Sequence, residues 1–156
     1  LDLQWNSMTI RDKATSSGSD AGYRVIPLTP YVASLLINLP RRNEWVFSTP
    51  TGTTGKLTDP RKSVEPALEA AGIEGLTLHG LRRSFSNLSE WVEIPTGVVA
   101  QIMGHKPSAT AEKHYKQRPL DLLRKWHTTL EAWILKQASV DIPAINQQRL
   151  SIVRGV

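Results

Sequence analysis

Val32, Leu35, Leu36 and Leu39 fall at i, i+3, i+4 and i+7, the spacing of one helix face. Thr29-Pro30 in front of them supplies a capping hydroxyl and a proline at the first helical position, and Pro40 stops the run. Val64, Leu68 and Ala71 repeat the pattern behind Asp59-Pro60, and Gly72 ends it. A third helix is expected from Thr77 to about Trp91, with Leu78, Leu81, Phe85, Leu88 and Val92 inward. After a turn at Glu93-Ile94-Pro95, Thr96 reads as a cap for a short helix with Val98, Val99, Ile102 and Met103 on its apolar side and Gly104 as terminator. A brief helical stretch through Tyr115 follows. Pro119 then opens an amphipathic helix in which Leu122, Trp126, Leu130, Trp133 and Ile134 share one side.

Strand-like patterning is confined to the first third. Thr9-Ile10 and Tyr23 to Leu28 flank a Ser/Gly-rich loop and read as a hairpin, and WVFST (45–49) reads as a short buried strand. The fold class expected is therefore mainly α with a small antiparallel β-sheet near the N-terminus (α+β). One domain over residues 1–137 is expected, with a weakly patterned tail, 138–156, that is either mobile or packs on a neighbouring protomer.

Composition narrows the class without naming it. The 156 residues are 40% apolar and 21% charged, ordinary for a globular domain. No apolar run approaches the ~18 residues that span a bilayer, and the first residues, LDLQWNSMTIRD, lack the basic and apolar blocks of a signal peptide. The chain has no cysteine, so disulfide frameworks and thiolate metal sites are excluded. A cytoplasmic protein with no membrane contact is the expectation.

Charge is unevenly placed. Residues 1–78 carry eight Lys/Arg and eight Asp/Glu, whereas residues 79–127 carry eight basic and four acidic residues and all four histidines. That window holds +4 of the net +5. A solvated basic face accounts for it, and so does a polyanion site.

Within the window, TLHGLRRSF (77–85) mixes an apolar stripe with His79, Arg82 and Arg83. His79 and Arg82 are three apart, so on a helix they point the same way, and a guanidinium fork beside an imidazole suits a phosphate. By itself this spacing is more often a cap or a salt bridge. Gly104-His105 follows an apolar helix, so a tight turn delivers the imidazole. Tyr115 stands among Lys113, His114 and Lys116, an environment that stabilises a phenolate and attracts an anion. Covering a helix end is the alternative use of such a tyrosine.

HGLRRSF followed by GVVAQIMGHKPSATAEKHY resembles, in order and spacing, the H-x-x-R, Gly-His and C-terminal tyrosine boxes of the tyrosine recombinases, in particular the phage-type integrases. LDLQW, YRVIPLTP, WVFST and RPLDLLRKWHTTLEAWI are similar to further segments of that family's catalytic domain. The resemblance implies a tyrosine recombinase catalytic-domain-like fold and site-specific DNA recombination, the integration or excision of a phage or mobile element. It implies that Tyr115 attacks a DNA phosphodiester to form a 3′-phosphotyrosyl link. Arg82 and His105 would hold the non-bridging oxygens, His79 would act as donor or proton acceptor, and Lys13 would protonate the leaving oxygen. Arg11 and Arg24 flank the same loop as Lys13 and compete with it for that assignment. Arg83, Lys106, Lys113 and Lys116 would bind DNA. Double-stranded DNA and further copies of the protein, as a tetramer, are the implied partners, with neither metal nor cofactor.

The family's first-box arginine is not found, since none of Arg11, Arg24, Arg41 or Arg42 has its flanking pattern. The chain is therefore expected to be a catalytic domain cut at its N-terminal side, and poorly active in isolation. Two other readings remain. One is a non-catalytic helix-turn-helix-like DNA-binding module built on 77–91 and 96–103. The other is a nicking and resealing enzyme like the type IB topoisomerases.

Overall fold

A computed structural model describes residues 1–11, 22–50, 53–105 and 117–141. Two strands, β1 (Ser7–Arg11) and β2 (Tyr23–Pro27), pair antiparallel, with Ser7 opposite Pro27 and Ile10 opposite Arg24. Among the described residues five helices follow: α1 (Pro30–Asn38), α2 (Arg61–Ala70), α3 (Leu78–Glu90), α4 (Thr96–Met103) and α5 (Leu120–Ala138). The expected mainly helical fold with a small N-terminal antiparallel sheet is what forms.

The core gathers α3, α4 and α5. Ile94, Val98, Val99, Ile102, Met103, Leu123 and Leu130 are buried, and Phe85, Leu88, Val92, Trp126, Trp133 and Ile134 pack against them. Trp133 stacks on Trp91, with ring centroids 6.1 Å apart and planes within 15°. Helix α5 also lies along β2, so the hairpin is tied to the same core. Arg124 of α5 adds a second tie, donating to the Trp5 carbonyl (2.8 Å) and the Asn6 carbonyl (2.8 Å). Part of the basic window thus holds the chain together.

Several elements differ from the sequence reading in phase. On α1 the buried residues are Ala33 and Ser34, whereas Val32 and Leu35 are exposed. The cause is how α1 is gripped. Glu131 of α5 accepts hydrogen bonds from the Thr29 hydroxyl and from the backbone N–H of Tyr31 (2.9 Å) and Val32 (3.2 Å). Thr29 occupies the cap position, but the cap itself comes from about 100 residues away. The Ser34 hydroxyl donates to the Tyr31 carbonyl (2.7 Å), so it is buried without an unmet polar group. A carboxylate satisfying orphan amides at the positive end of a helix combines capping with charge-dipole attraction. Glu131→Ala is expected to cost about 2–3 kcal/mol. It should lower the thermal midpoint by roughly 5–10 °C, and calorimetry checks it.

On α3, Leu78 and Leu81 are exposed, and the buried positions are Gly80 and Ser89. The core cluster meets α3 at Phe85 and Leu88, past its first turn, so Leu78 and Leu81 stay outside it. Likewise Leu123 is buried on α5 while Leu122 is exposed. Thr96 is the first helical residue of α4, and Pro95 takes the cap position. No residue of α2 is buried. WVFST forms no strand: Trp45 and Phe47 are exposed, and a single bridge pairs Ser48 with Lys56. Its aromatic and β-branched composition suits a pleated surface, but among the described residues the pairing stops at this bridge and the two backbone bonds beside it, Thr49 N–H to the Gly55 carbonyl (2.9 Å) and Leu57 N–H to the Phe47 carbonyl (3.0 Å). The helical stretch ending at Tyr115 lies outside the described residues.

His127 sits between α5 and the hairpin. Its ring meets Phe85 edge-on, centroids 5.6 Å apart, and hydrogen-bonds the Pro27 backbone, while Nδ1 finds no partner among the described residues. Burial pushes its pKa below the ordinary histidine value, outweighing the Pro27 bond and the Glu131 charge. The unfolded chain therefore takes up a proton near pH 6.5 that the folded protein refuses. Stability is full above that pH and falls as the pH drops below it, by no more than about 1.4 kcal/mol per unit. His127→Gln, which cannot titrate, is expected to flatten this part of the stability profile in denaturant titrations at pH 7, 6 and 5.

Candidate functional site

Thr77 caps α3, its side chain accepting from the Gly80 N–H at 2.9 Å, which sets the register of the residues that follow. Gly80 packs closely there, since an added Cβ would lie 3.1 Å from Leu76 Cδ1. The glycine lets α3 start against Leu76 and leaves His79, Arg82 and Arg83 exposed around it.

At the other side of the site α4 ends on Gly104, whose φ of +69° is accessible to glycine at little cost. The His105 N–H donates to the Ala100 carbonyl (2.9 Å) and the Gly104 N–H to Gln101 (3.2 Å). These are the paired bonds of a Schellman turn, and they turn His105 out of the helix into solvent. The Arg82 Nη2 donates to the Met103 carbonyl at 2.6 Å. A charge-assisted bond of this kind ties α3 to the last turn of α4. Arg82 and His105, 23 positions apart in the chain, are thereby brought to one place.

A second guanidinium arrives from the hairpin. A Cβ built on Gly104 would lie 2.5 Å from Arg24 Cζ and 2.9 Å from Arg24 Nε, so Arg24 lies directly against the Gly104 backbone. Burial and the neighbouring Arg82 charge both push the Arg24 pKa below its ordinary value. Two cations are tolerated side by side because both lie at the carbonyl end of α4, the negative end of its dipole. The sequence places Arg24 as a competitor for the loop lysine and as a rejected candidate for the first-box arginine, and in neither reading at this turn. Strand alternation carried the missed signal: Arg24 has the parity of buried Ile26, while Tyr23 and Val25 are exposed.

Beyond α4, Gln101 holds the chain that enters α5. Its Nε2 donates to the Arg118 carbonyl (3.1 Å) and its Oε1 accepts from the Arg118 N–H (3.1 Å). In sequence, Tyr115 precedes this clamp by three residues. Among the predicted site residues, the structure unites Arg82 and His105 and sets His79 and Arg83 on the same helix as Arg82. Tyr115, Lys13, Lys106, Lys113 and Lys116 lie outside the described residues. Among the described residues no group of three or more acidic or histidine side chains is placed to hold a metal ion, and no helix is long and apolar enough to cross a membrane.

The model of the phage integrase family matches residues 1–119. Prophage integrase IntF of Escherichia coli (strain K12) is 52% identical over 149 residues, covering 91% of this chain and 30% of the relative. The chain thus spans about 30% of that relative's length. No solved structure matches. With the His79-Arg82 helix, the Gly104-His105 turn and most of its length matched, the chain belongs to the phage integrase family of tyrosine recombinases.

Proposed function

We propose that this chain carries the strand-cutting site of a site-specific DNA recombinase. Tyr115 attacks a phosphodiester phosphorus of double-stranded DNA. The new bond is a 3′-phosphotyrosyl ester, the bond to the 5′-oxygen breaks, and that oxygen leaves as a hydroxyl after taking a proton from Lys13. His79 receives or shares the phenolic proton. Arg82 and His105 donate to the non-bridging oxygens as charge builds on them, and Arg83, Lys106, Lys113 and Lys116 hold the flanking backbone. Rejoining reverses these steps with a 5′-hydroxyl from a partner strand, which calls for further copies of the protein on the same DNA.

The observation that supports this reading most is the convergence of Arg82 and His105 at the end of α4. Preorganised donors at a developing oxyanion are typically the largest electrostatic contribution to such a transfer. They act in proportion to how little they must move, and here a helix end and a charge-assisted bond hold them.

The reading is tested with nicked duplexes, 5′-labelled on the strand to be cut and tiled across the DNA flanking the gene. Release of the short fragment beyond the nick traps the covalent intermediate. The assay uses the chain itself and a chimera in which it replaces the matching segment of the IntF relative. A labelled protein band that survives denaturant is expected from the chimera. No such band on any duplex, with DNA binding intact, would mean that the chain is a DNA-binding module.

A further inference from the structure

Arg24 has no role in the reaction as proposed, yet it lies against Gly104 in the turn that carries His105. Three features of the hairpin bring it there. Its parity on β2 is that of the buried Ile26. Its partner across the ladder is Ile10, on a strand whose other end is anchored through the Asn6 carbonyl to Leu28 and Arg124. Helix α5 packs along β2, so the strand cannot drift from α4 without disturbing the core.

The contact itself is specific in shape. A guanidinium is flat, and Gly104 offers a flat backbone surface with no Cβ to hold it off. Arg82 approaches the same turn from α3 through the Met103 carbonyl, one residue earlier. The turn is therefore enclosed by two guanidiniums delivered by different elements. Two hydrogen bonds, from the Gly104 and His105 amides, close that turn.

We propose that Arg24 is a positioning residue of this site, its guanidinium plane laid on Gly104 so that the Schellman turn, and with it His105, is held in place by the β1–β2 hairpin. The hairpin that leads into the Lys13 loop is thereby coupled to the histidine, so the two ends of the reacting phosphate share one support. The consequence for cleavage rests on the function proposed above, whereas the positioning of the turn does not.

Two readouts separate these. Amide hydrogen exchange at His105 and Gly104 reports the turn without DNA, with the amides of Ile102 and Leu130 as internal references. In Arg24→Met, which keeps the length and loses the plane, the His105 and Gly104 amides are expected to exchange about tenfold faster while the reference amides stay unchanged. Arg24→Lys keeps the charge but not the plane and should leave the exchange fast. In the chimera, single-turnover adduct formation at saturating DNA should slow by about 10- to 100-fold in Arg24→Met, with the DNA dissociation constant little changed. Unchanged His105 exchange would overturn the proposal, as would protection lost equally at all amides in both variants. A loss confined to DNA affinity would overturn it too, making Arg24 a plain backbone contact. If the unmutated protein forms no adduct, the function fails, and the exchange experiment still decides whether Arg24 holds the turn.

Discussion

Tyr115→Phe is expected to abolish the covalent DNA adduct completely while leaving DNA affinity within about twofold. The substitution removes one oxygen, and that oxygen is the atom proposed to bond to phosphorus. Backbone affinity comes from cations that neutralise phosphates, and the phenol is not one of them. A phenol titrates near pH 10, so at pH 7 only about one in 10³ is ionised without help. Lys113, His114 and Lys116 flank it in sequence and supply the chemistry that would favour the phenolate. The measurement is paired: fluorescence anisotropy of labelled duplex for affinity, and denaturing gels for adduct. Equal adduct from Tyr115→Phe would assign the nucleophile to another residue. A large loss of affinity would give Tyr115 a binding role instead.

Arg82→Ala is expected to slow single-turnover cleavage by about 10²- to 10³-fold, the usual effect of removing one preorganised donor from a developing oxyanion. Thermal stability should change by less, about 1 kcal/mol. Its bond to the Met103 carbonyl is a single part-buried tie at the end of α4, and one hydrogen bond of this kind is worth about 1 kcal/mol net. Arg82→Lys is not expected to rescue the rate. One ammonium cannot keep the Met103 tie and present a planar fork to phosphate together. Quenched-flow cleavage at saturating DNA, read beside a thermal melt, separates the two effects. A rate loss matched by an equal loss of stability would reduce Arg82 to a structural tie.

How far the sequence alone could be read depended on whether each signal was local. The start of α3 at Thr77, Gly104 ending α4 and Pro119 preceding α5 were all legible, because each signal acts within a few residues of itself. The hairpin was legible for the same reason. Which side of a helix faces the core was less so. Periodicity groups Leu78 with Leu81 and Val32 with Leu35, yet both pairs are exposed, since position relative to the core is set by distant contacts. On α1 that contact is Glu131, about 100 positions away, and nothing near Thr29 announces it. WVFST failed by a related route: a strand needs a partner, and composition does not say whether one exists.

The site divides in the same way. His79, Arg82 and His105 could be named from short motifs, because spacing on one helix and a glycine turn are local properties. That Arg82 reaches the Met103 carbonyl, and that Arg24 covers Gly104, are tertiary facts. They change what the arginines do. Arg82 joins two helices as well as facing solvent, and the hairpin contributes an arginine from its core side. The basic window likewise proves mixed in purpose, since Arg124 spends its donors on the Trp5 and Asn6 carbonyls.

The central claim is a covalent link between this chain and DNA, and the most direct test is to find the bond. The adduct trapped on a nicked duplex is digested with protease and nuclease, and the nucleotide-bearing peptide is sequenced by mass spectrometry. A phosphate ester on Tyr115 joined to a 3′-nucleotide is expected, with a free 5′-hydroxyl on the released strand. A nucleotide on any other residue, or a 5′-linked phosphate, would contradict it.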